Sequence, residues 1–490
     1  MNVLLIDPPS LKERLAEDSG RNVLLTPNFG LVYLGTYLKT KAGASVTLID
    51  HQTFKDWGSI GNFIQKNNFK LIGITSKSFN ITGANHIAQI IKKVDPNILI
   101  IAGGAHPTAV PNETLEQYPS FDAIVLREGE LTILEIYNRL KDYPGEQTEV
   151  FSDVRGIVWR NNQGEIINNG DRELISDLDS LPFADHLLVD WNKYARLYNL
   201  TKHKFQRVFP IFASRGCPFS CTFCMPLLTR RHRIRSIDNV LDEVSLLNSK
   251  LGAERIYFED SLFYPRREDF ENFCEEYKRR GLHKKVQWGF ETRIDTAHPE
   301  MFKLAKEAGC IYISFGMESG SEEVLKGANK FYTKDKIIQV LTRCREAGIA
   351  ELSIGLIIGL PFETKNTINE TLSLLKIIPF DSCGVSLLDI YPDTKLFDMA
   401  IKGEGGIRLL SDKLCWDDLS RETPAAEVND LTIQDLIEAR NKAIKIIKSN
   451  KRANKIELFH KLLAYSIELI KENPYTLFRY TKDFLRGKRS

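Results

Sequence analysis

Ser214-Arg215-Gly216-Cys217-Pro218-Phe219-Ser220-Cys221-Thr222-Phe223-Cys224 is the stretch on which the reading of this chain turns. Its three cysteines are spaced CxxxCxxC. The chain holds eight cysteines, and none precedes Cys217. Thiolate is a soft ligand suited to iron–sulfur clusters and zinc. Three thiolates on one loop can hold three corners of a 4Fe–4S cubane and leave the last iron open. A structural zinc site closes its shell with four ligands, often as two CxxC pairs. No second pair exists here, because Cys274, Cys310, Cys344, Cys383 and Cys415 are scattered singly. Gly216 and Pro218 help turn the loop, and Phe223 sits between the last two cysteines. The bland alternative is three incidental cysteines.

Composition narrows the setting. A chain of 490 residues is long enough for about two to four domains. Hydrophobic residues make up 43% and charged residues 27%, as in ordinary soluble proteins. A net charge of +2 gives no whole-chain nucleic-acid footprint, so no nucleic-acid partner is expected. Asn2-Val3-Leu4-Leu5-Ile6-Asp7 is too short and lacks the basic start of a signal peptide. No apolar run reaches the length of about 18 residues that a membrane span needs. Clustered reduced cysteines point to the cytoplasm.

Residues 1–150 read as one unit. Short apolar runs at Val3–Asp7, Val46–Asp50, Leu71–Thr75, Ile98–Ala102 and Ala123–Leu126 alternate with helical segments near Leu31–Lys41 and Gly83–Val94. That pattern predicts a doubly wound parallel sheet. Ligands of such sheets bind beyond the carboxyl ends of the strands. Those ends carry Thr75-Ser76, Gly103-Gly104-Ala105-His106-Pro107-Thr108 and Arg127-Glu128-Gly129-Glu130. Residues 151–206 read as a connector. It holds a β-hairpin, with Val154–Arg160 and Glu165–Ile167 flanking Asn161-Asn162-Gln163-Gly164.

Residues 207–400 alternate again. Strands are expected at Val208–Ala213, Arg255–Glu259, Val286–Phe290, Ile311–Gly316, Leu352–Ile358 and Gly384–Ile390. Helices are expected at Ile237–Lys250, Glu268–Arg280, Pro299–Ala308, Lys334–Ala347, Lys365–Ile377 and Lys395–Lys402. Six βα units predict a partial, open (β/α)6 barrel with its chemistry at the strand carboxyl ends. Cys217 follows the first of these strands. The next strand ends run into Glu259-Asp260-Ser261, Glu291-Thr292-Arg293, Gly316-Met317-Glu318-Ser319-Gly320 and Gly359-Leu360-Pro361-Phe362-Glu363. Beyond Gly403 the pattern turns helical, with apolar spacing over Leu431–Ile447 and Ile456–Ile470.

The cysteine stretch resembles the CxxxCx(aromatic)C signature of radical S-adenosylmethionine enzymes. With the first unit ahead of it, the chain resembles their cobalamin-dependent subgroup, whose cobalamin domain is a Rossmann-like doubly wound sheet. The matching pieces there are Pro27…Gly30-Leu31…Leu34, Gly103–Thr108 and Arg127–Glu130. The resemblance implies a 4Fe–4S cluster on Cys217, Cys221 and Cys224. S-adenosylmethionine would bind the open iron and be cleaved to a 5′-deoxyadenosyl radical. Phe223 holds the motif's aromatic position. Glu318, with Ser319, resembles the acidic motif that hydrogen-bonds the ribose, since a carboxylate can accept both hydroxyls of a cis-diol. Gly359 belongs to the segment near the adenine, where relatives often read GLPGE and this chain has Phe362. Arg293 would pair with the S-adenosylmethionine carboxylate or a substrate anion. Asp260 joins this set, though it and Arg293 fit structural roles equally well. A barrel-mouth salt bridge is the alternative for Glu318. Thr75, Ser76, Gly103, Gly104, His106, Thr108, Glu128, Gly129 and Glu130 would face cobalamin. The first strand ends Asp7-Pro8-Pro9-Ser10 rather than DxHxxG, so the axial histidine of methionine-synthase-type proteins is missing. For His51 and His106 a structural or hydrogen-bonding role is favoured over cobalt ligation.

The activity this implies is methyl transfer to an unactivated carbon of a small molecule or lipid. The same cofactors also serve oxidative cyclisation or rearrangement. A cluster-containing scaffold without turnover is the reading from another class. An electron donor of the flavodoxin or ferredoxin type is implied. The basic, aromatic end from Phe478 to Arg489 suits an anionic membrane surface or an acidic substrate, but such tails are more often solvated helix ends.

Overall fold

The computed structural model describes residues 1–9, 27–50, 57–190, 207–225, 229–410 and 424–450. His51, Cys415, residues 191–206 of the connector, the helix expected over Ile456–Ile470 and the basic tail lie outside the described residues.

The first sheet has seven strands: β1 (Asn2–Ile6), β2 (Ser45–Ile49), β3 (Leu71–Thr75), β4 (Leu99–Gly103), β5 (Ala123–Val125), β6 (Ile157–Arg160) and β7 (Ile166–Asn168). Their order is β2-β1-β3-β4-β5-β6-β7. β1 to β5 are parallel, and helices cover both faces. Burial on two faces explains why these strands are unbroken Val/Ile/Leu runs. Asn28 caps the helix Phe29–Ala42 by accepting from the Leu31 amide, and Gly43 ends it in the left-handed conformation. The hairpin expected in the connector forms as β6 and β7. It is not free-standing, since β6 pairs antiparallel with β5 and extends the sheet. Val158 and Trp159 are buried there, so the hairpin gains more by covering core than by standing apart.

The second sheet contains β8 (Val208–Ile211), β11 (Arg255–Phe258), β12 (Gln287–Arg293), β13 (Cys310–Glu318), β14 (Glu351–Ile358) and β15 (Ser382–Leu387). Between its first two strands lies a two-residue ribbon of β9 (Ser214–Arg215) and β10 (Arg233–Ile234). The large sheet runs β15-β14-β13-β12-β11-β8, all parallel. Strands in chain order with a helix after each make an open half-barrel. Its outer faces pack on the helices through Phe258, Phe263, Phe270, Phe273, Trp288 and Phe290. Each of these rings stabilises the fold by about 1.5–3 kcal/mol through burial. The Trp288 indole donates to the Ala308 carbonyl at 2.9 Å, so no polar group is stranded.

After the helix Lys395–Lys402 the chain departs from the helical expectation. Gly403, Gly405 and Gly406 all have positive φ, which stops a helix. A small antiparallel pair follows, β16 (Ile407–Leu409) with β17 (Ala426–Val428). A helix over residues 433–450 then seats Leu436, Ala439, Ala443 and Ile447 on the half-barrel core. No helix among the described residues is long and apolar enough to cross a membrane.

Candidate active site

The carboxyl ends of the two sheets face each other across one cavity of about 600 Å³. Thr75, Ser76, Gly103, Gly104, Glu128, Gly129 and Glu130 line one wall. Cys217, Phe219, Cys224, Glu259 and Ser261 line the other.

The cysteine loop leaves the short ribbon where Arg215 sits opposite Arg233. Gly216 has φ 86°, and a Cβ there would strike the Arg231 carbonyl oxygen, so only glycine fits this turn. The Cys217 amide donates to the Thr229 carbonyl at 3.1 Å, and the Cys224 amide to the Cys221 carbonyl at 3.1 Å. Cys217 is half-buried, Cys221 buried and Cys224 exposed. Cys224 is open to the cavity but ringed by protein. Burial pushes its thiol up to about 11, with Cys221 and Cys217 adding to the rise. Burial also raises the Cys217 thiol; the Phe219 amide opposes this and Cys221 reinforces it. The three thiols therefore lie within electrostatic reach of one another. Among the described residues no three His, Cys, Asp or Glu side chains are gathered tightly enough to grip a single metal ion. The donor chemistry, soft thiols along one loop at a cavity wall, fits an iron–sulfur cluster.

The opposite wall leaves room for a ligand where the strand ends meet the cavity. Gly104 has φ 99°, and a Cβ would meet the Ser76 carbonyl at 2.6 Å and Thr75 Oγ1 at 2.7 Å. The strand ends can approach this closely only without a side chain there. Ser76 Oγ is buried without a hydrogen-bond partner, a donor and acceptor awaiting a ligand on that wall. Glu128 and Glu130 are on the wall too, but arginines from the cysteine-loop ribbon engage them. Arg233 forks onto Glu128 at 2.7 and 2.9 Å. Arg215 reaches Glu130 at 2.6 Å and Glu128 at 3.3 Å. All four side chains are at most 9% exposed.

Two residues expected to face cobalamin do not line the cavity. His106 is buried, with Nδ1 3.0 Å from Ser78 Oγ, and burial lowers its pKa to about 4. Thr108 Oγ1 instead accepts from the Arg127 amide at 3.2 Å, tying two loops together.

The residues expected around S-adenosylmethionine divide as well. Glu318 stands at a bulge between β13 and β14 with φ 62°, a strained conformation of the kind kept at functional sites. Its Oε1 accepts from Lys330 Nζ at 2.8 Å, so the salt bridge considered above is present. Phe223 is part-buried and packs against a small apolar cluster. Gly359 has φ 100° and donates its amide to Glu363. Phe362 adopts φ 66°, a backbone that a glycine takes without strain. Two expected contacts are corrected. Asp260 is buried and accepts from the Ser214 hydroxyl and the Ala213 amide, bracing the start of the loop. Ser319 is buried against Thr371 Oγ1 at 3.1 Å. Arg293 also departs from expectation, because its guanidinium meets Asp295 and the Cys221 sulfur.

Sequence reasoning passed over Arg215, Arg233, Glu259 and Lys330. Arg215 and Glu259 stood inside quoted stretches, but nothing local marked their partners. Burial, then Glu291 and Asp260, push Glu259 up to about 7, with Lys77 opposing.

Comparison with known proteins agrees with this two-sheet site. A B12 binding domain model matches residues 23–136, and a Radical SAM superfamily model matches residues 211–375. An uncharacterised methyltransferase of Pyrococcus horikoshii is 29% identical over 82% of this chain and 83% of its own length. The anaerobic magnesium-protoporphyrin IX monomethyl ester cyclase of Cereibacter sphaeroides is 30% identical over 67% of this chain, which spans 52% of that protein. The fold is shared with the radical S-adenosylmethionine methyltransferase TsrM of Kitasatospora setae, solved with cobalamin and a 4Fe–4S cluster. There the TM-score is 0.69 at 17% identity, covering 91% of this chain and 90% of that one. A B12-binding sheet and a radical half-barrel in tandem, closed over one cavity, place this chain in the family of cobalamin-dependent radical S-adenosylmethionine enzymes.

Proposed function

We propose that the enzyme is a methyltransferase acting on a carbon of a small molecule, with Cys217, Cys221 and Cys224 holding its cluster. The observation that carries this is the shared cavity, walled by both the B12-binding strand ends and the cysteine loop. The cluster supplies the electron that cleaves S-adenosylmethionine, and cobalamin supplies a cobalt that can carry a methyl group. The chain's own residues arrange the rest. Gly104 and Gly129 let the strand ends of their wall pack closely behind the ligand. Glu318, aimed by its bulge, accepts from ribose hydroxyls, while Lys330 holds its first oxygen. The Arg215 and Arg233 forks fix the distance between the walls. Strand ends and loops around the cavity limit water, which protects a radical from quenching.

The inward positions of the half-barrel include Tyr257, Glu259, Glu291 and Ser353. Tyr257 donates to Glu291 at 2.8 Å. This polar lining favours a substrate with hydroxyl or amine groups over a lipid chain. A flavodoxin or ferredoxin supplies electrons. A cluster held by reduced thiolates suits the cytoplasm.

The test incubates the reconstituted enzyme with excess S-adenosylmethionine, a low-potential reductant and a small-molecule cell extract as the source of methyl acceptor. Methyl transfer releases S-adenosylhomocysteine alongside 5′-deoxyadenosine. A second reading, oxidative cyclisation, is favoured by the similarity to the Cereibacter cyclase. It yields 5′-deoxyadenosine without S-adenosylhomocysteine.

A further inference from the structure

Arg293 closes β12, the strand two places from the one that launches the cysteine loop. Its guanidinium is held on three sides. Nε and Nη2 donate to the two oxygens of Asp295 at 2.8 and 2.6 Å. The ring of Phe219, inside the cysteine loop, lies 3.8 Å from the guanidinium carbon, a close cation–π contact. Nη1 then donates to Cys221 Sγ at 2.9 Å. Arg293 is 7% exposed and Cys221 8%. At that depth little water competes for the N–H···S bond, so the donor acts on the sulfur even with Asp295 balancing the charge.

We propose that Arg293 is a positioning residue that sets the reduction potential of the cluster through Cys221, rather than a ligand of the S-adenosylmethionine carboxylate. The inference rests on the reading that Cys221 is a cluster ligand. A cationic N–H donor on a thiolate draws electron density from it and stabilises the more reduced, more negative cluster. Hydrogen bonds to the sulfurs are among the levers that set cluster potentials. Only arginine suits this place, because its rigid fork can hold Asp295 along one edge while the remaining nitrogen reaches the sulfur. A lysine has one nitrogen for both partners. Asp295 already neutralises the charge that a free carboxylate would seek, which argues against the role expected from sequence.

The test uses the full chain reconstituted anaerobically with iron and sulfide. The cluster midpoint potential is measured by EPR-monitored titration, and S-adenosylmethionine affinity is measured in parallel. Arg293→Gln is expected to lower the potential, and Arg293→Lys to lower it less. Iron content and S-adenosylmethionine affinity should match the wild type. An unchanged or higher potential in Arg293→Gln overturns the proposal, as does weakened S-adenosylmethionine binding at an unchanged potential. Loss of iron in both variants assigns Arg293 to cluster assembly and also overturns it. If only Arg293→Gln loses iron, a lowered potential in Arg293→Lys supports the proposal and an unchanged one overturns it. A wild-type protein that builds no cluster fails the underlying reading itself, and the inference with it.

Discussion

Arg233 and Glu128 lie 105 residues apart in the chain and meet in a buried, two-pronged ion pair at 2.7 and 2.9 Å. One comes from the cysteine-loop ribbon and the other from the end of β5. This pair, with Arg215 beside it, joins the two walls of the cavity. Burial alone would raise the Glu128 carboxyl, but the hydrogen bond from Arg233 and the charges of Arg215 and Arg233 outweigh it, leaving it below its ordinary value. Glu128→Gln should therefore cost about 3–5 kcal/mol, because it leaves buried arginine charge uncompensated. Urea unfolding measures this. The wild-type advantage should be full above the ordinary carboxyl range and fade as pH falls through the lowered folded-state value.

Gly104→Ala should destabilise the protein by about 2 kcal/mol and cut cobalamin retention. The added methyl would occupy space held by the Ser76 carbonyl and the Thr75 hydroxyl, in a backbone conformation alanine avoids. Thermal melts and cobalt content after desalting check both effects. Normal cobalt in a destabilised variant would show that the glycine serves the fold alone.

Glu318→Ala should weaken S-adenosylmethionine binding while leaving iron content near wild type. The carboxylate's nearest partner is Lys330, at 2.8 Å, not a cysteine of the loop. Calorimetric titration and iron analysis on the same sample separate the two. Equal loss of both would assign Glu318 to folding.

Glu363 is fully buried, and burial pushes its carboxyl from the usual 4.5 to about 7, with the amides of Gly359 and Leu360 opposing the rise. The folded state thus holds its proton more tightly than the unfolded state does. Between those two values the native protein binds more protons, so stability falls as pH rises. Glu363→Gln keeps an acceptor for the Gly359 amide but cannot ionise. It should be near neutral at pH 4 to 5 and more stable than wild type at pH 8, on the order of 2–3 kcal/mol. Urea midpoints across this range test it.

Much of this architecture could be read in the sequence because its signals are local. The cysteine spacing, the apolar runs of β1, β3 and β4, and the pattern of the helix Ile237–Leu251 all lie within short windows. The illegible part depends on tertiary register. His106 and Gly104 are two residues apart, yet only Gly104 reaches the cavity, because the turn after β4 folds the histidine under the loop toward Ser78. Asp260 and Glu259 are neighbours whose side chains part at the end of β11, one into the ribbon and one onto the cavity wall. Glu128 looked like a ligand contact because its partner Arg233 sits beyond an entire connector. The glycines at 403, 405 and 406 were visible, but the strand pair they permit depends on Asn429 meeting the Gly406 carbonyl at 2.7 Å.

The central claim is that one cavity serves both cofactors, and metal analysis after anaerobic reconstitution tests it most directly. Wild type and the Cys217/Cys221/Cys224 triple alanine variant are each loaded with iron, sulfide and hydroxocobalamin, desalted, and assayed for iron and cobalt. The wild type should hold about four irons per chain together with one cobalt, and the variant should lose the iron while keeping cobalt. Iron retained in the triple variant, or a wild type that takes up iron without cobalt, would contradict the account.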